Sequence, residues 1–224
     1  MSSASVHPHH SPALLHHFDT AGQQKDASTL GMWVFLVTEI MFFGGMFTAY
    51  IVYRTLHPEG FVEASHELNI TMGAINTAVL ICSSLTMVLA VHAAQLSERK
   101  SIVVYLILTM ILGTVFLGIK AVEYHEKYVN HHIPGASFHF DGPNAPYAEM
   151  FFFLYFAMTG LHAAHMIVGL VLLAILTVRA ARGRFNAEYN TPIDLTGLYW
   201  HFVDIVWIFL FPLLYLLGGH LRGA

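Results

Sequence analysis

Charged side chains are scarce in this sequence. Of its 224 residues, 11% are Asp, Glu, Lys or Arg, whereas 56% are hydrophobic. Soluble globular domains usually carry about 25% charged residues, so this composition excludes an ordinary soluble domain. The formal net charge of -4 also gives no basic surface for binding nucleic acid.

Cysteine is almost absent as well. The single Cys82 lies inside an apolar run, so a disulfide framework and a cysteine-based electron-transfer centre are both excluded. The sequence also lacks a glycine-rich phosphate loop, an HExxH zinc helix and a Ser–His–Asp arrangement. It therefore offers no catalytic centre of its own.

What the sequence does contain is long apolar runs. A membrane-spanning helix needs about 20 predominantly apolar residues to cross a hydrocarbon core of about 30 Å. Five runs meet this length, at residues 30–53, 70–95, 102–124, 147–180 and 193–217. Because backbone polar groups in lipid must bond within their own segment, we predict an all-α fold, an integral membrane bundle of five transmembrane helices.

This bundle is predicted to form one membrane domain over residues 30–220. Residues 1–29 are polar and His-rich and lack the pattern of a secretory signal peptide, so we predict a solvated tail. The five tail histidines have no cysteine or acidic partner spaced for a closed metal site: His7, His9, His10, His16 and His17. Residues 125–146 are rich in Pro and Gly and predict an irregular loop.

The distribution of Lys and Arg predicts the orientation of the bundle. The side that holds the N-terminus collects Lys25, Arg99, Lys100, Arg179, Arg182 and Arg184. The opposite side collects Arg54, Lys120, Lys127 and Arg222. Since cytoplasmic loops carry the excess of positive charge, we predict a cytoplasmic N-terminus and a periplasmic C-terminus.

The acidic residues within the predicted spans include Glu39 and Glu123. Glu39 falls near the middle of the first span, where an ionised acid costs roughly 2.5 to 3.5 kcal/mol, so its carboxyl must face protein, water or a partner. Two interpretations stand equally, a proton-linked carboxyl and a hydrogen-bonded structural one. Glu123 lies three residues after Lys120, and this spacing predicts an ion pair near the membrane interface.

Histidines in the spans admit two further interpretations. His162 and His165 share one face of the fourth helix, and His201 has the same spacing to Asp204 in the fifth. A carboxylate at this spacing can orient the imidazole, which favours a structural polar network over metal ligation. Haem ligation is the rival interpretation, because two histidines on facing helices suffice and His92 adds a further candidate.

Several segments together resemble one protein family. Residues 199–207, YWHFVDIVW, closely resemble the YWHFVDxVW signature of subunit III of heme-copper oxidases. Residues 159–165, TGLHAAH, are similar to that family's TGxHGxH segment, and Glu39 with the following pair Phe42 and Phe43 resembles its helix with a mid-membrane Glu. Leu68-Asn69, Asn76-Thr77, His92, the turn at 98–100 and Glu123-Tyr124 follow in the family's order. The resemblance covers residues 28–220.

The resemblance implies a specific role. Subunit III carries no haem, copper or other metal, packs against subunit I near the entrance of a proton-uptake pathway, and sustains turnover. It implies partners in oxidase subunits I and II and in membrane lipids, with haem and copper on the partner subunits. Glu39 is then expected at the contact with subunit I or in support of the proton pathway. The expected structural polar network consists of His92, Glu123, His162, His165, His201 and Asp204.

Two departures from the family pattern limit what is carried over. Ala163 stands where the family usually has Gly. The longer family form has seven spans, and lipids lie in a cleft between its first two helices and the rest. This chain has five predicted spans, so one wall of that cleft is missing here. A bound phospholipid is therefore expected only by weak analogy.

We therefore expect the accessory subunit III of a bacterial cytochrome c oxidase in the cytoplasmic (inner) membrane. Within the family, a quinol oxidase subunit and an accessory protein of nitric oxide reductases remain alternatives, since the electron-donor site lies on other subunits. A haem-b membrane anchor and an independent ion transporter are alternatives from other classes.

Overall fold

The structure, a computed structural model, describes residues 18–135 and 137–216. In order along the chain it contains α1 (Ala21–Leu56), α2 (Pro58–His66), α3 (Ile70–Gln95), α4 (Arg99–Val129), α5 (Ala145–Ala181) and α6 (Thr191–Phe211). One π-helical turn, Pro212–Leu216, continues α6. The described part of the chain contains no strand, only an isolated bridge between Asn186 and Tyr189.

Five of these helices are long and apolar enough to cross a membrane: α1, α3, α4, α5 and α6 with its π-helical turn. This confirms the predicted all-α membrane bundle, and the bounds of α3 coincide with the second predicted span. The short amphipathic helix α2 was not predicted. It begins with Pro at its first position, which is favourable there because an N–H at the start of a helix has no intrahelical partner.

Local signals account for most of the helix ends. The Thr20 hydroxyl accepts a hydrogen bond from the Gln23 amide at 3.1 Å, and the Asn69 side chain accepts one from the Met72 amide at 3.1 Å. Both are N-cap contacts that satisfy an otherwise free helical N–H. After α5, Gly183 adopts a φ of +70°, a conformation that glycine tolerates at helix C-termini.

Two predicted boundaries were wrong. Helix α1 begins at Ala21, so the last nine residues of the predicted polar tail are helical. The predicted irregular segment 125–146 is shorter than expected, because α4 continues to Val129 and α5 begins at Ala145. The five tail histidines and Arg222 lie outside the described residues.

Helix α6 occupies the centre of the bundle, and α1 lies at its edge. Helix α6 packs against α1, α3 and α5, while α3 pairs most extensively with α4. In the most apolar stretch of each span, 56% of the residues of α6 are buried but only 11% of those of α1. Most of the surface of α1 is therefore uncovered by the described part of the chain.

Replacing Gly169 by Ala is expected to destabilise the bundle by about 1 to 3 kcal/mol, the usual cost of overpacking a filled core. A Cβ at Gly169 would lie 2.9 Å from two ring carbons of Trp200. The thermal unfolding of the subunit in detergent measures this effect. Gly118→Ala is the matched control, because nothing lies within 4 Å of its added Cβ. Equal melting temperatures for the two variants would contradict the close packing at Trp200.

Candidate functional site

The signature segment 199–207 fixes the central helix to its neighbours. Trp200 is fully buried, and its indole N–H donates to the Ser83 hydroxyl of α3 at 3.0 Å. Its ring lies against Gly113 of α4 and Gly169 of α5, where a Cβ would come within 3 Å of the indole. The two glycines therefore create the space that the Trp200 ring fills.

Two further aromatic residues of the segment bond across helices. The Tyr199 hydroxyl donates to the backbone carbonyl of His165 on α5 at 2.9 Å. The Trp207 indole N–H donates to the Thr77 hydroxyl on α3 at 3.1 Å. Side-chain hydrogen bonds between helices are effective in lipid because no water competes for the same groups. The segment therefore sets the position of α6 relative to α3 and α5.

Glu39 and His165 meet between α1 and α5. Glu39 Oε2 lies 3.2 Å from His165 Nε2, and both side chains are largely covered, with 19% and 16% exposed. Each residue falls near the middle of its helix, so the contact lies deep in the membrane. The sequence predicted a role for each residue separately, and the structure brings them together.

The geometry of His165 limits the protonation states that this pair can adopt. His165 Nδ1 lies 3.0 Å from the backbone carbonyl of Leu161, and since a carbonyl only accepts, Nδ1 carries a hydrogen. A hydrogen bond between Nε2 and Glu39 then requires a second proton, held either by the carboxyl or by the imidazole. In both states the pair is neutral overall, which suits a position in lipid. A neutral Glu39–His165 pair therefore requires one proton in addition to that on Nδ1, on either the carboxyl or the imidazole.

A second buried cluster surrounds Lys120. Its ammonium group donates to Glu123 Oε2 at 2.9 Å and to the hydroxyls of Tyr155 and Tyr215 at 3.0 Å each. Both tyrosine hydroxyls also donate to Glu123 Oε1, at 2.9 Å from Tyr155 and 2.5 Å from Tyr215. The predicted ion pair is therefore present, and it is enclosed by the bundle. Both side chains are at least 96% covered inside the bundle.

The predicted pair of His201 and Asp204 does not form among the described residues. His201 Nδ1 instead lies 2.8 Å from the Ser84 hydroxyl of α3. The Asp204 carboxyl is buried, and neither of its oxygens has a hydrogen-bond partner in the described residues. Replacing Asp204 by Ala is therefore not expected to break the contact between His201 and Ser84.

The other two histidines also lie apart from a network. His162 is buried, with its ring against Phe116 and Trp207 at centroid distances of 5.4 and 5.2 Å, and neither ring nitrogen has a partner in the described residues. His92 is exposed on α3. The predicted polar network is thus three separate contacts, at Glu39–His165, Lys120–Glu123 and Ser84–His201. In residues 18–135 and 137–216, no group of three or more His, Cys, Asp or Glu side chains is arranged to hold a metal ion.

Four hydroxyl groups in these contacts were not predicted from the sequence, those of Ser83, Ser84, Tyr155 and Tyr215. The adjacent serines in the middle of an apolar run were the available signal, because hydroxyls at mid-membrane usually bond across helices. The tyrosines gave no comparable signal, since a single aromatic residue in an apolar run fits ordinary packing.

Outside the membrane, His132 packs in the loop between α4 and α5. Its ring stacks on Phe152 with a centroid distance of 5.0 Å, and the half-buried position lowers the pKa of His132 below its usual value. Burial is the main cause, and the Glu67 carboxylate opposes it in part. The folded loop therefore binds a proton less readily than the unfolded chain.

Acidification is expected to loosen this loop. The pKa of His132 is lower in the folded state than in the unfolded chain. His132 therefore contributes to stability above the ordinary histidine pKa of about 6.5, and this contribution is lost as the pH falls through the folded pKa. Hydrogen–deuterium exchange of residues 130–144, corrected for intrinsic rates, should rise on acidification across this range. His132→Phe should remove the rise, whereas His139→Phe should retain it, because His139 is 75% exposed. A rise that persists in His132→Phe would contradict this assignment.

The family profile described as cytochrome c oxidase subunit III matches residues 15–219. The chain belongs to the cytochrome c oxidase subunit III family. It is 32% identical over 200 residues to the cytochrome c oxidase subunit 3 of Thermostichus vulcanus, covering 89% of this chain and 92% of that protein. It is 28% identical over 221 residues to the cytochrome bo(3) ubiquinol oxidase subunit 3 of Pseudomonas aeruginosa, covering 98% and 100%.

Another relative named for quinol is the quinol oxidase subunit 3 of Bacillus spizizenii. It is 31% identical over 190 residues, which cover 84% of this chain and 86% of that protein. These matches confirm the resemblance to subunit III of heme-copper oxidases. They also show that relatives named for cytochrome c and for quinol are similar to this chain at nearly equal levels. The chain is a multi-pass membrane protein of a respiratory oxidase family that works with other oxidase subunits.

Proposed function

We propose that this chain is the accessory subunit III of a bacterial cytochrome c oxidase in the cytoplasmic membrane. It stabilises subunit I and supports sustained proton uptake during the reduction of dioxygen to water, in a complex that also contains subunit II. The observation that carries this proposal is the Glu39–His165 contact, which brings a carboxyl and an imidazole within 3.2 Å of each other near the middle of two helices at the edge of the bundle.

The surroundings of Glu39 support a contact with subunit I. On α1 the buried residues are Leu36, Phe43 and Tyr50, which are spaced seven apart and form one narrow stripe. The opposite surface is open, as Met41 with 72% exposure illustrates. A helix that its own chain covers so little offers a broad surface to a partner, and Glu39 lies between the stripe and that surface.

We also propose that the redox centres lie on partner subunits. The packing supports this, because the four candidate histidines do not form a pair of free, facing imidazoles. Both ring nitrogens of His165 contact other groups of this chain, and Nδ1 of His201 contacts the Ser84 hydroxyl. His162 is packed against aromatic rings, and His92 is exposed on the surface of α3. These contacts disfavour the haem-b anchor.

For the orientation, we propose a cytoplasmic N-terminus and a periplasmic C-terminus. Two of the four cations predicted on the opposite side are turned inward. Lys120 is in the ion-pair cluster, and the ammonium of Lys127 donates to the backbone carbonyl of Glu67. The positive-inside rule counts Lys and Arg near the helix ends, and the six cations on the N-terminal side against four on the other support this orientation.

A bound phospholipid is proposed between α1 and α6. At the N-terminal ends of these helices, Lys25, Ser28 and Tyr189 line a polar pocket of about 390 Å³. Farther along the same two helices, Leu36, Phe43 and Ile205 line an apolar groove of about 490 Å³. A polar pocket followed by an apolar groove fits a headgroup and its acyl chains.

The electron donor admits two candidates. Cytochrome c is proposed first, on the family profile and the relative from Thermostichus vulcanus. Quinol is the second candidate, because quinol oxidase subunits match this chain over up to 98% of its length. A nitric oxide reductase accessory protein remains a more distant alternative.

Purification of the native complex through a tag on this chain tests the proposal. A large haem- and copper-bearing subunit should co-purify, and oxidation of cytochrome c or of quinol by the preparation identifies the donor. Mass spectrometry should detect the phospholipid, and Lys25→Glu should reduce its occupancy. A chain that purifies alone and colourless would refute the oxidase role, and haem bound stoichiometrically to this chain alone would refute the absence of a redox centre.

A further inference from the structure

Tyr199 on α6 contacts both of the helices that carry the Glu39–His165 pair. Its hydroxyl donates to the backbone carbonyl of His165 on α5 at 2.9 Å. Its ring centroid lies 6.1 Å from that of Phe35 on α1. Phe35 precedes Glu39 by four residues, so the two side chains share one face of α1. A third helix therefore meets α1 and α5 at the level of the pair.

The imidazole of His165 is held by groups from three helices. The Tyr199 ring is nearly parallel to it, with a centroid distance of 6.4 Å and an angle of 28° between the planes. The Phe43 ring of α1 lies 5.5 Å away, and Nδ1 lies 3.0 Å from the Leu161 carbonyl of α5. Aromatic rings at these distances are in contact. They therefore restrict rotation of the imidazole away from Glu39.

The Glu39–His165 contact is sensitive to small displacements. The distance of 3.2 Å between Glu39 Oε2 and His165 Nε2 is at the long end of the range for hydrogen bonds to nitrogen. Both side chains are largely covered, so water does not readily replace a lost partner. A slight separation of α1 from α5 would therefore weaken the contact that keeps the carboxyl and the imidazole together.

We propose that Tyr199 is a positioning residue for the Glu39–His165 pair. Its hydrogen bond and its ring hold α5 and α1 at the separation at which His165 Nε2 contacts the Glu39 carboxyl. The hydroxyl hydrogen of Tyr199 points to a carbonyl, which only accepts, so Tyr199 positions the pair rather than moving its proton. The inference rests on the proposed role of Glu39 in sustained turnover and deepens it by assigning a residue on a third helix.

A double-mutant cycle in the tagged oxidase complex tests this role. Tyr199→Phe removes the hydroxyl and keeps the ring, and we expect it to accelerate inactivation during turnover several-fold. In the Glu39→Gln background the same change should add less than about twofold, because residues that act as one unit are not additive. Wild-type inactivation by Tyr199→Phe, or the same several-fold effect in both backgrounds, would overturn the proposal.

Thr77→Val is the matched control for a general loosening of α6. The Thr77 hydroxyl accepts from the Trp207 indole at 3.1 Å, so this change also removes a hydrogen bond between α6 and a neighbouring helix. That neighbour is α3, which does not carry the pair. The variant should therefore inactivate at the wild-type rate. Equal acceleration by Thr77→Val and Tyr199→Phe would overturn the positioning role.

A spectroscopic measurement separates this inference from the proposed function. Nitrogen NMR of the subunit labelled with ¹⁵N-histidine reports the hydrogen bond at His165 Nε2 without turnover, and His165→Gln assigns the signal by its loss. Tyr199→Phe should shift this signal, whereas Thr77→Val should leave it unchanged. An unshifted signal in Tyr199→Phe would overturn the inference. If no haem-bearing subunit co-purifies, or Glu39→Gln inactivates at the wild-type rate, the proposed function fails, and the NMR comparison still decides the role of Tyr199.

Discussion

Replacing Lys120 by Met is expected to destabilise the folded subunit by about 3 to 5 kcal/mol, the usual cost of breaking a buried ion pair from one side. The substitution leaves the Glu123 carboxylate inside the bundle without its cation, where 1% of its side chain is exposed. It also removes the donor that joins the hydroxyls of Tyr155 and Tyr215 on two other segments of the chain. The amount of folded subunit in membranes and its thermal unfolding in detergent measure the loss.

A double variant tests whether the unpaired Glu123 carboxylate causes the loss of stability. Lys120→Met combined with Glu123→Gln should recover part of the stability, because Gln is neutral and its carbonyl still accepts from the tyrosines. Lys100→Met, at an exposed position in the first turn of α4, should change stability by about 0.5 kcal/mol or less. If Lys120→Met is as stable as this control, the cluster does not stabilise the bundle.

Glu39→Gln is expected to leave the subunit inserted and assembled but to make the oxidase inactivate several-fold faster during turnover. The Gln side chain can still donate a hydrogen bond to His165 Nε2, so the contact that joins α1 to α5 is kept. It cannot release a proton, so the shared proton of the pair is no longer available. The decline of oxygen consumption with time, measured on the purified complex, reports the effect.

Thr38→Val serves as the control for Glu39→Gln. Thr38 neighbours Glu39 on α1, and its hydroxyl donates to the carbonyl of Phe35 within the same helix, at 2.6 Å. It should inactivate at the wild-type rate. If Glu39→Gln does so too and assembles normally, the role of Glu39 is structural only. Infrared spectra that show no change in a protonated carboxyl band in Glu39→Gln would place the shared proton on His165.

The sequence predicted the membrane spans well because a span is a local property. A run of about 20 apolar residues is sufficient to predict a helix in lipid, whatever it packs against. The ends were predicted less well, since α1 and α4 extend beyond their apolar runs through polar residues. Helix α2 is short and only moderately apolar, so the length criterion did not find it.

The site was predicted residue by residue but not contact by contact. Spacing along one helix suggested Lys120 with Glu123 and His201 with Asp204, and only the first pair forms among the described residues. His201 turns to Ser84 because α3 brings a hydroxyl to 2.8 Å from its ring. Nothing in the spacing along one helix indicates such a partner on another.

The sequence by itself determined that this protein has five spans, a family signature in the last span and several polar side chains in the membrane. The tertiary structure alone decided which of those side chains meet. Glu39 and His165 are 126 positions apart, and Ser84 and His201 are 117 apart. These pairs depend on the packing of α1 and α3 around α5 and α6. Packing selects partners by position in space, whereas apolar length acts on each segment separately.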